Sequence, residues 1–221
     1  MTAIVDYRAG NLTSVRYAFD ALGAETAVTC DPAAILAADR VVFPGVGAAR
    51  HAMESLRALG LVEAVREAAE TKPFLGICLG MQILFDRSEE DGGVDTLGIL
   101  PGQVRRFPRV AGFKVPEIGW NQVEAIELSN YRIIESEETK RAASSPIRSF
   151  DDSIIRKFPA REYYFVHSYY AEICPYTVGV ADYAGVAFTA LVKRGRLWAS
   201  QFHPEKSGRV GLGLIKEWLS C

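Results

Sequence analysis

The chain has 221 residues, 49% of them hydrophobic, and a formal net charge of −2, enough for one large α/β domain or two small ones with a sizeable core. The near-neutral balance and the lack of a Lys/Arg-rich run exclude a nucleic-acid partner, and no stretch approaches the roughly eighteen apolar residues of a membrane span. The N-terminus, MTAIVDYRAG, is not expected to be a signal peptide. Cys30, Cys78, Cys174 and Cys221 stand far apart without CxxC spacing, so a reduced, cytoplasmic chain with no metal, disulfide framework or cofactor is expected.

Strand and helix signals alternate through the first half. Ala3-Ile4-Val5 is a short β run, and Leu12, Val15, Phe19 and Leu22 then recur at helical spacing between a cap at Asn11 and a stop at Gly23. Glu25 to Thr29 reads as a second strand, and Asp31-Pro32 as an N-cap followed by a first helical residue. Arg40 to Phe43 is a third strand, ending in Pro44-Gly45-Val46-Gly47. Helical runs from Ala48 to Leu59 and from Leu61 to Glu70 follow, then the apolar Pro73-Phe74-Leu75. Such alternation builds a parallel sheet covered on both faces, with functional residues at the carboxyl ends of its strands.

The second half changes character. Short β runs at Gln103–Phe107, Asn121–Ile126, Tyr163–Val166, Val178–Val180, Phe188–Val192 and Leu197–Gln201 are separated by turns, as in an antiparallel addition to the sheet. Residues 127–161 are polar and read as a surface excursion without chemistry. A last helix runs from about Arg209 to Leu219, with Val210, Leu214 and Trp218 on one side. The expected fold is therefore α/β: an open mixed, mainly parallel central sheet flanked by helices, with antiparallel strands added in the second half. No repeat or linker divides it, so residues 1–221 are expected to form a single domain.

The segment Gly76-Ile77-Cys78-Leu79-Gly80-Met81-Gln82 carries the chemistry. It follows an apolar run and opens a helical run through Ile83, Leu84 and Phe85. Glycines two before and two after a cysteine are the pattern of a nucleophile elbow, where close backbone forbids Cβ atoms beside an exposed side chain. A helix start behind the sulfur favours thiolate and offers N–H groups to a developing oxyanion. The competing reading, a buried thiol packed as a small hydrophobe, has no use for the glycines. A cysteine nucleophile needs a base, and the base needs an orienting carboxylate. Of the three histidines, His203 sits in Gln201-Phe202-His203-Pro204-Glu205, where Glu205 can fix the imidazole while its other nitrogen faces the sulfur. His51 has no motif and reads as a helix-surface residue.

Taken together, Gly-Ile-Cys-Leu-Gly-Met-Gln, Pro-Gly-Val-Gly and Gln-Phe-His-Pro-Glu-Lys-Ser-Gly resemble class I (triad-type) glutamine amidotransferases. Asp6-Tyr7 with Gly10-Asn11-Leu12, Lys114-Val115-Pro116 with Gly119-Trp120-Asn121, and Tyr164 to Tyr170 narrow the resemblance. They point to the family of glutaminase subunits of imidazole glycerol phosphate synthase, from residue 2 to about 219. The resemblance implies Cys78 as nucleophile, His203 as base and Glu205 as its orienting partner. Backbone N–H groups of Leu79 and of Val46 or Gly47 would hold the oxyanion. Gln82, Glu90, Ser168 and Tyr169 would bind glutamine, with Gly47 beside it, and His167 would orient the Ser168-Tyr169 backbone. It also implies a heterodimer with a (β/α)8-barrel cyclase that receives the ammonia and forms imidazole glycerol phosphate and AICAR in histidine biosynthesis. Asn11, Trp120, Tyr164 and Lys206 would lie near that interface.

Two departures stand out: Glu117 occupies a position where histidine is usual in the family, and the stretch 127–161 is longer than the family's connection. A paralogous amidotransferase subunit serving another acceptor, such as a surface-sugar synthesis enzyme, is the main alternative, because the same triad would serve it. A catalytically dead scaffold would not need Cys78, His203 and Glu205 together.

Overall fold

The computed structural model describes residues 1–128, 154–156 and 161–221. The first half runs β1 (Thr2–Val5), α1 (Leu12–Asp20), β2 (Thr26–Thr29), α2 (Pro32–Ala37), β3 (Arg40–Gly45), α3 (Ala49–Ala58), α4 (Val62–Thr71), β4 (Phe74–Cys78) and α5 (Leu79–Gln82). Then come β5 (Arg87–Ser88), β6 (Val94–Asp95), β7 (Gln103–Arg106), β8 (Glu117–Leu128), β9 (Ile154–Arg156), β10 (Arg161–His167) and β11 (Tyr169–Ala171). β12 (Thr177–Tyr183), β13 (Val186–Arg194), β14 (Leu197–Ser200) and α6 (Gly208–Leu219) complete the chain.

Ten strands form one sheet in the order β10-β8-β12-β13-β14-β4-β3-β1-β2, with β9 paired to β8. From β2 to β14 every pairing is parallel, and from β14 outward to β10 every pairing is antiparallel. Strand alternation sorts the parallel half into two cores. Ala3, Val5, Val41, Phe43 and Phe74 face α2, α3 and α4 through Ile35, Met53, Leu56 and Val65. Ile4, Val42, Leu75 and Ile77 face α1 and α6 through Val15, Phe19, Ile215 and Trp218. Helices on both faces explain the near-continuous apolar strands. The antiparallel half has an aromatic core of Phe107, Tyr163, Phe165, Phe188 and Phe202.

The local signals act as chemistry expects. Asn11 Oδ1 accepts the Ser14 N–H at the start of α1, and Asp31 Oδ1 accepts the Ala33 N–H ahead of Pro32. Three expectations need correction. The helical run after Cys78 stops at Gln82 rather than continuing through Phe85, because the carbonyls of Ile83, Leu84 and Phe85 accept N–H groups from Leu97 to Leu100 instead. The Leu197–Gln201 strand is antiparallel on one side only: β14 sits mid-sheet, antiparallel to β13 but parallel to β4. The stretch 127–161 is not wholly an excursion, since its ends complete β8, form β9 and open β10; the remainder lies outside the described residues. A second sheet, β11-β7-β5-β6, contains strands of two or three residues that periodicity could not show. No helix among the described residues is long and apolar enough to cross a membrane.

Candidate active site

The sheet brings three strand ends to one level. Gly45 of β3 pairs with Cys78 of β4, and Ile77 pairs with Ser200 of β14. The Val46-Gly47 loop, the Cys78 turn and the Gln201–His203 segment therefore emerge side by side. Cys78 adopts φ 55° and ψ −109°, a strained conformation for a side-chain-bearing residue, directly before α5. Its glycine neighbours are obligatory: a Cβ on Gly80 would lie 2.0 Å from the Phe43 carbonyl oxygen, and one on Gly76 would lie 2.8 Å from that of Gly80. Because α5 is a single turn, its contribution to the sulfur is local N–H groups rather than a long helix dipole.

His203 is anchored by its backbone N–H donating to Tyr164 O at 2.9 Å and by Ser207 Oγ donating to its carbonyl at 2.6 Å. Its Nδ1 lies 2.7 Å from Glu205 Oε1, and the two side chains are 2% and 1% exposed. Its Nε2 is buried and is the ring nitrogen left to face Cys78. Burial alone would lower the imidazole pKa. The charge and hydrogen-bond interactions of the imidazolium with Cys78, together with the Glu205 carboxylate, outweigh burial and push it up to about 10. Cys78 Sγ lies 3.9 Å from the Val166 carbonyl oxygen, to which the thiol donates.

A cleft of about 270 Å³ opens over the sulfur. Val46, Gly47 and Leu79 line one part of it, and Gln82, Glu90, Ser168 and Tyr169 another, so every residue expected to bind glutamine or hold the oxyanion is gathered there. Gln82 is nearly buried, and its Nε2 donates to Tyr169 O at 2.7 Å and to Gln201 Oε1 at 2.9 Å, which leaves its Oε1 for a ligand. Glu90 accepts the Ala49 N–H at 2.6 Å; burial raises its carboxyl pKa, that hydrogen bond opposes the rise and neighbouring Asp91 adds to it. His167 Nδ1 donates to Tyr169 O at 2.7 Å, fixing the Ser168-Tyr169 backbone. A larger open groove of about 500 Å³ between Arg106 and Val115 has no nucleophile in its lining.

Sequence reasoning missed three side chains here. Gln201 is fully buried and reaches Cys78. Glu117 is also buried, with Oε2 3.1 Å from His167 Nε2 and Oε1 accepting from Asn121 at 2.8 Å. Tyr7 stacks on Phe43 with ring centroids 5.0 Å apart, and burial raises its hydroxyl pKa; the Val46 backbone beside it opposes the rise. Gln201 stood in the quoted Gln-Phe-His-Pro-Glu motif, and Glu117 fell between two quoted segments, where inward alternation along β8 was the available signal.

The residues expected at a partner interface do not line the cleft over the sulfur. Trp120 is 57% exposed and meets Tyr164 edge to face at 6.1 Å, while Lys206 Nζ sits 6.0 Å from the Tyr164 ring centroid. Asn11 caps α1, which packs on the Pro204–Lys206 turn. Ile118, two positions from Trp120 on β8, is 62% exposed and extends the apolar surface. His51 lies on the exposed face of α3, as expected.

An imidazole held on one nitrogen by a carboxylate and open on the other to a buried thiol can carry out acyl transfer through a thioester. The fold around it is that of glutamine amidotransferases. A solved glutamine amidotransferase matches with a TM-score of 0.68 over 99% of this chain and 97% of its own, at 17% identity. PurLQS from Thermotoga maritima matches with a TM-score of 0.62 over 99% and 97%, at 16% identity. The family description Glutamine amidotransferase class-I fits residues 3–217. Sequence relatives are closer: the imidazole glycerol phosphate synthase subunit HisH of Desulfovibrio desulfuricans is 45% identical over 97% of this chain and 92% of its own length. The HisH subunit of Acinetobacter baylyi is 41% identical over 98% and 96%. The chain belongs to the class-I glutamine amidotransferases and, within them, to the family of HisH subunits of imidazole glycerol phosphate synthase.

Proposed function

We propose that residues 1–221 act as one cytoplasmic amidotransferase domain that hydrolyses glutamine and passes the ammonia to a (β/α)8-barrel cyclase subunit, which forms imidazole glycerol phosphate and AICAR. The observation that carries this reading is the Cys78 elbow facing an imidazole whose far nitrogen is held 2.7 Å from Glu205. His203 takes the thiol proton, and the sulfur attacks the side-chain amide carbon of glutamine. The resulting oxyanion is held by the Leu79 N–H and one from Val46 or Gly47. His203 then protonates the departing nitrogen, leaving ammonia and a γ-glutamyl thioester. Water activated by the same imidazole releases glutamate and restores the thiol. Gln82, Glu90, Ser168 and Tyr169 hold the amino-acid end of the substrate.

Names of the HisH relatives support a second subunit, and the exposed Ile118 and Trp120 beside Tyr164 supply an apolar surface for it. Asn11 and Lys206 give that surface a polar rim. The test is glutamate formation from glutamine by the purified chain alone, with a cyclase subunit, and with cyclase plus its nucleotide substrate. A weak rate alone that climbs steeply in the ternary mixture is expected. A high rate unchanged by the cyclase would assign the ammonia to another acceptor and overturn the synthase reading.

A further inference from the structure

Among the described residues, one polar side chain outside the triad donates to the sulfur. Gln201 is 0% exposed, and its Nε2 lies 3.6 Å from Cys78 Sγ. Neighbouring groups fix which end of this amide faces the thiol. The Tyr169 carbonyl can only accept, so the Gln82 atom 2.7 Å from it is the NH2 nitrogen. That nitrogen also lies 2.9 Å from Gln201, which must therefore present its oxygen there and its NH2 group to the sulfur. The order Tyr169 O, Gln82, Gln201, Cys78 is thus a directed hydrogen-bond chain with no freedom to flip one amide alone.

The sulfur's other contact behaves differently. Val166 O, 3.9 Å away, accepts from the thiol and has nothing to donate once the proton has moved to His203. A carbonyl oxygen facing a thiolate is repulsive, whereas an amide N–H facing it becomes a charge-assisted hydrogen bond. Burial makes that difference larger, since little solvent reaches the sulfur, which is 6% exposed with its residue.

We propose that Gln201 is a further catalytic residue: an amide donor that steadies the Cys78 thiolate, aimed by Gln82 and the Tyr169 carbonyl. The inference deepens the glutaminase reading and takes its substrate from that reading, yet it concerns the thiol itself and can be read without glutamine. A consequence is that Gln82 serves two masters. Both of its N–H groups are spent on the chain, so it meets glutamine through Oε1 alone, and the peptide at Tyr169 links substrate binding to nucleophile orientation.

The experiment measures alkylation of Cys78 by iodoacetamide at pH 7 in the full chain bound to its cyclase, following the Cys78 peptide by mass spectrometry because Cys30 and Cys221 are exposed. Gln201→Met keeps the length and removes the donor. It should slow alkylation about tenfold, equivalent to about 1.4 kcal/mol. The kcat for glutamine should fall by at least as much, with KM within about threefold. Gln201→Glu keeps an oxygen toward Gln82 but sets a carboxylate against the sulfur, and should be slower still. A role in packing alone would lower the unfolding temperature of Gln201→Met and leave alkylation unchanged; alkylation within twofold of the parent in folded protein overturns the proposal. If Gln201→Met does not fold, Gln82→Met leaves Gln201 in place but unaimed, and an unchanged alkylation rate there overturns it equally. Should the parent complex release no glutamate from glutamine, the substrate reading fails while the alkylation comparison still decides the role of Gln201.

Discussion

Replacing Gly80 by alanine tests whether the elbow depends on backbone contact between α5 and β3. A Cβ at this position would sit 2.0 Å from the Phe43 carbonyl oxygen and 2.9 Å from Phe43 Cδ1. Carbon–oxygen contacts normally stay beyond about 3.3 Å, so strand and turn must part by more than about 1 Å. The obstacle is main chain in the middle of a buried sheet, which cannot swing aside as a flexible side chain would. Overpacking of this kind costs about 3 kcal/mol, the upper end of its usual range, and for a chain of this size lowers Tm by about 6–12 °C. The displaced Cys78 should lose about a hundredfold in glutaminase rate, the scale of a 1 Å misplacement of a reacting group. Differential scanning fluorimetry and glutamate release with the cyclase present are the assays. A Gly80→Ala protein with Tm within 2 °C of the parent and activity within threefold would refute the contact argument.

Gly213 offers the opposite case: it is an exposed position of α6 where a Cβ meets nothing within 4 Å, so Gly213→Ala should stabilise by about 0.5–1 kcal/mol and raise Tm by a few degrees, with unchanged activity. Glu205→Gln retains a hydrogen-bonding side chain beside His203 Nδ1 but loses the charge, so it should cost less in kcat than His203→Ala; equal losses in steady-state assays would contradict the roles given to the pair. Cys78→Ala should abolish glutamine-dependent cyclisation in the complex and leave ammonia-dependent cyclisation intact, which product formation with ammonium salt in place of glutamine checks. The His203 pKa rises from 6.5 to about 10 on folding, so its stabilising contribution is complete below pH 6.5 and is lost as pH climbs toward 10. Removing the Cys78 sulfur takes away the leading cause of the rise, and a Tm–pH profile for Cys78→Ala should lose that alkaline slope; parallel profiles would contradict the assignment.

The first half of the fold was legible because its signals are local: apolar runs separated by helical periodicity, with Asn11 and Asp31-Pro32 marking helix starts. The elbow was legible for the same reason, since Gly76 and Gly80 sit within two residues of Cys78. What periodicity could not show was competition for backbone groups across distance. Ile83, Leu84 and Phe85 have helical composition, yet their carbonyls are taken by the segment ending at Leu100, and α5 stops after one turn. Strand direction was equally hidden, because an apolar stretch such as Leu197–Gln201 reads alike whether its neighbour runs with it or against it. The buried polar side chains followed the same pattern. Glu117 stood out only as a departure from the family's usual histidine, and the β8–β10 register, which sets it opposite His167, turns it inward.

The change of sheet direction at β14 accounts for how one chain carries a sheltered thiol and an apolar surface for a partner. Running parallel to β4, β14 delivers Gln201 and His203 beside Cys78 at the shared carboxyl end of the two strands. Running antiparallel to β13, it begins the meander that places β8 and β10 at the far side of the sheet. On β8 the pleat then separates two roles by a single residue: Ile118 and Trp120 project to the exposed surface, while Glu117 turns inward against His167. His167 in turn holds the Tyr169 carbonyl that also receives Gln82. A one-residue slip of β8 would therefore both withdraw the apolar surface and pull a carboxylate away from the peptide that lines the glutamine cleft, which gives the β8–β10 register a functional constraint beyond packing.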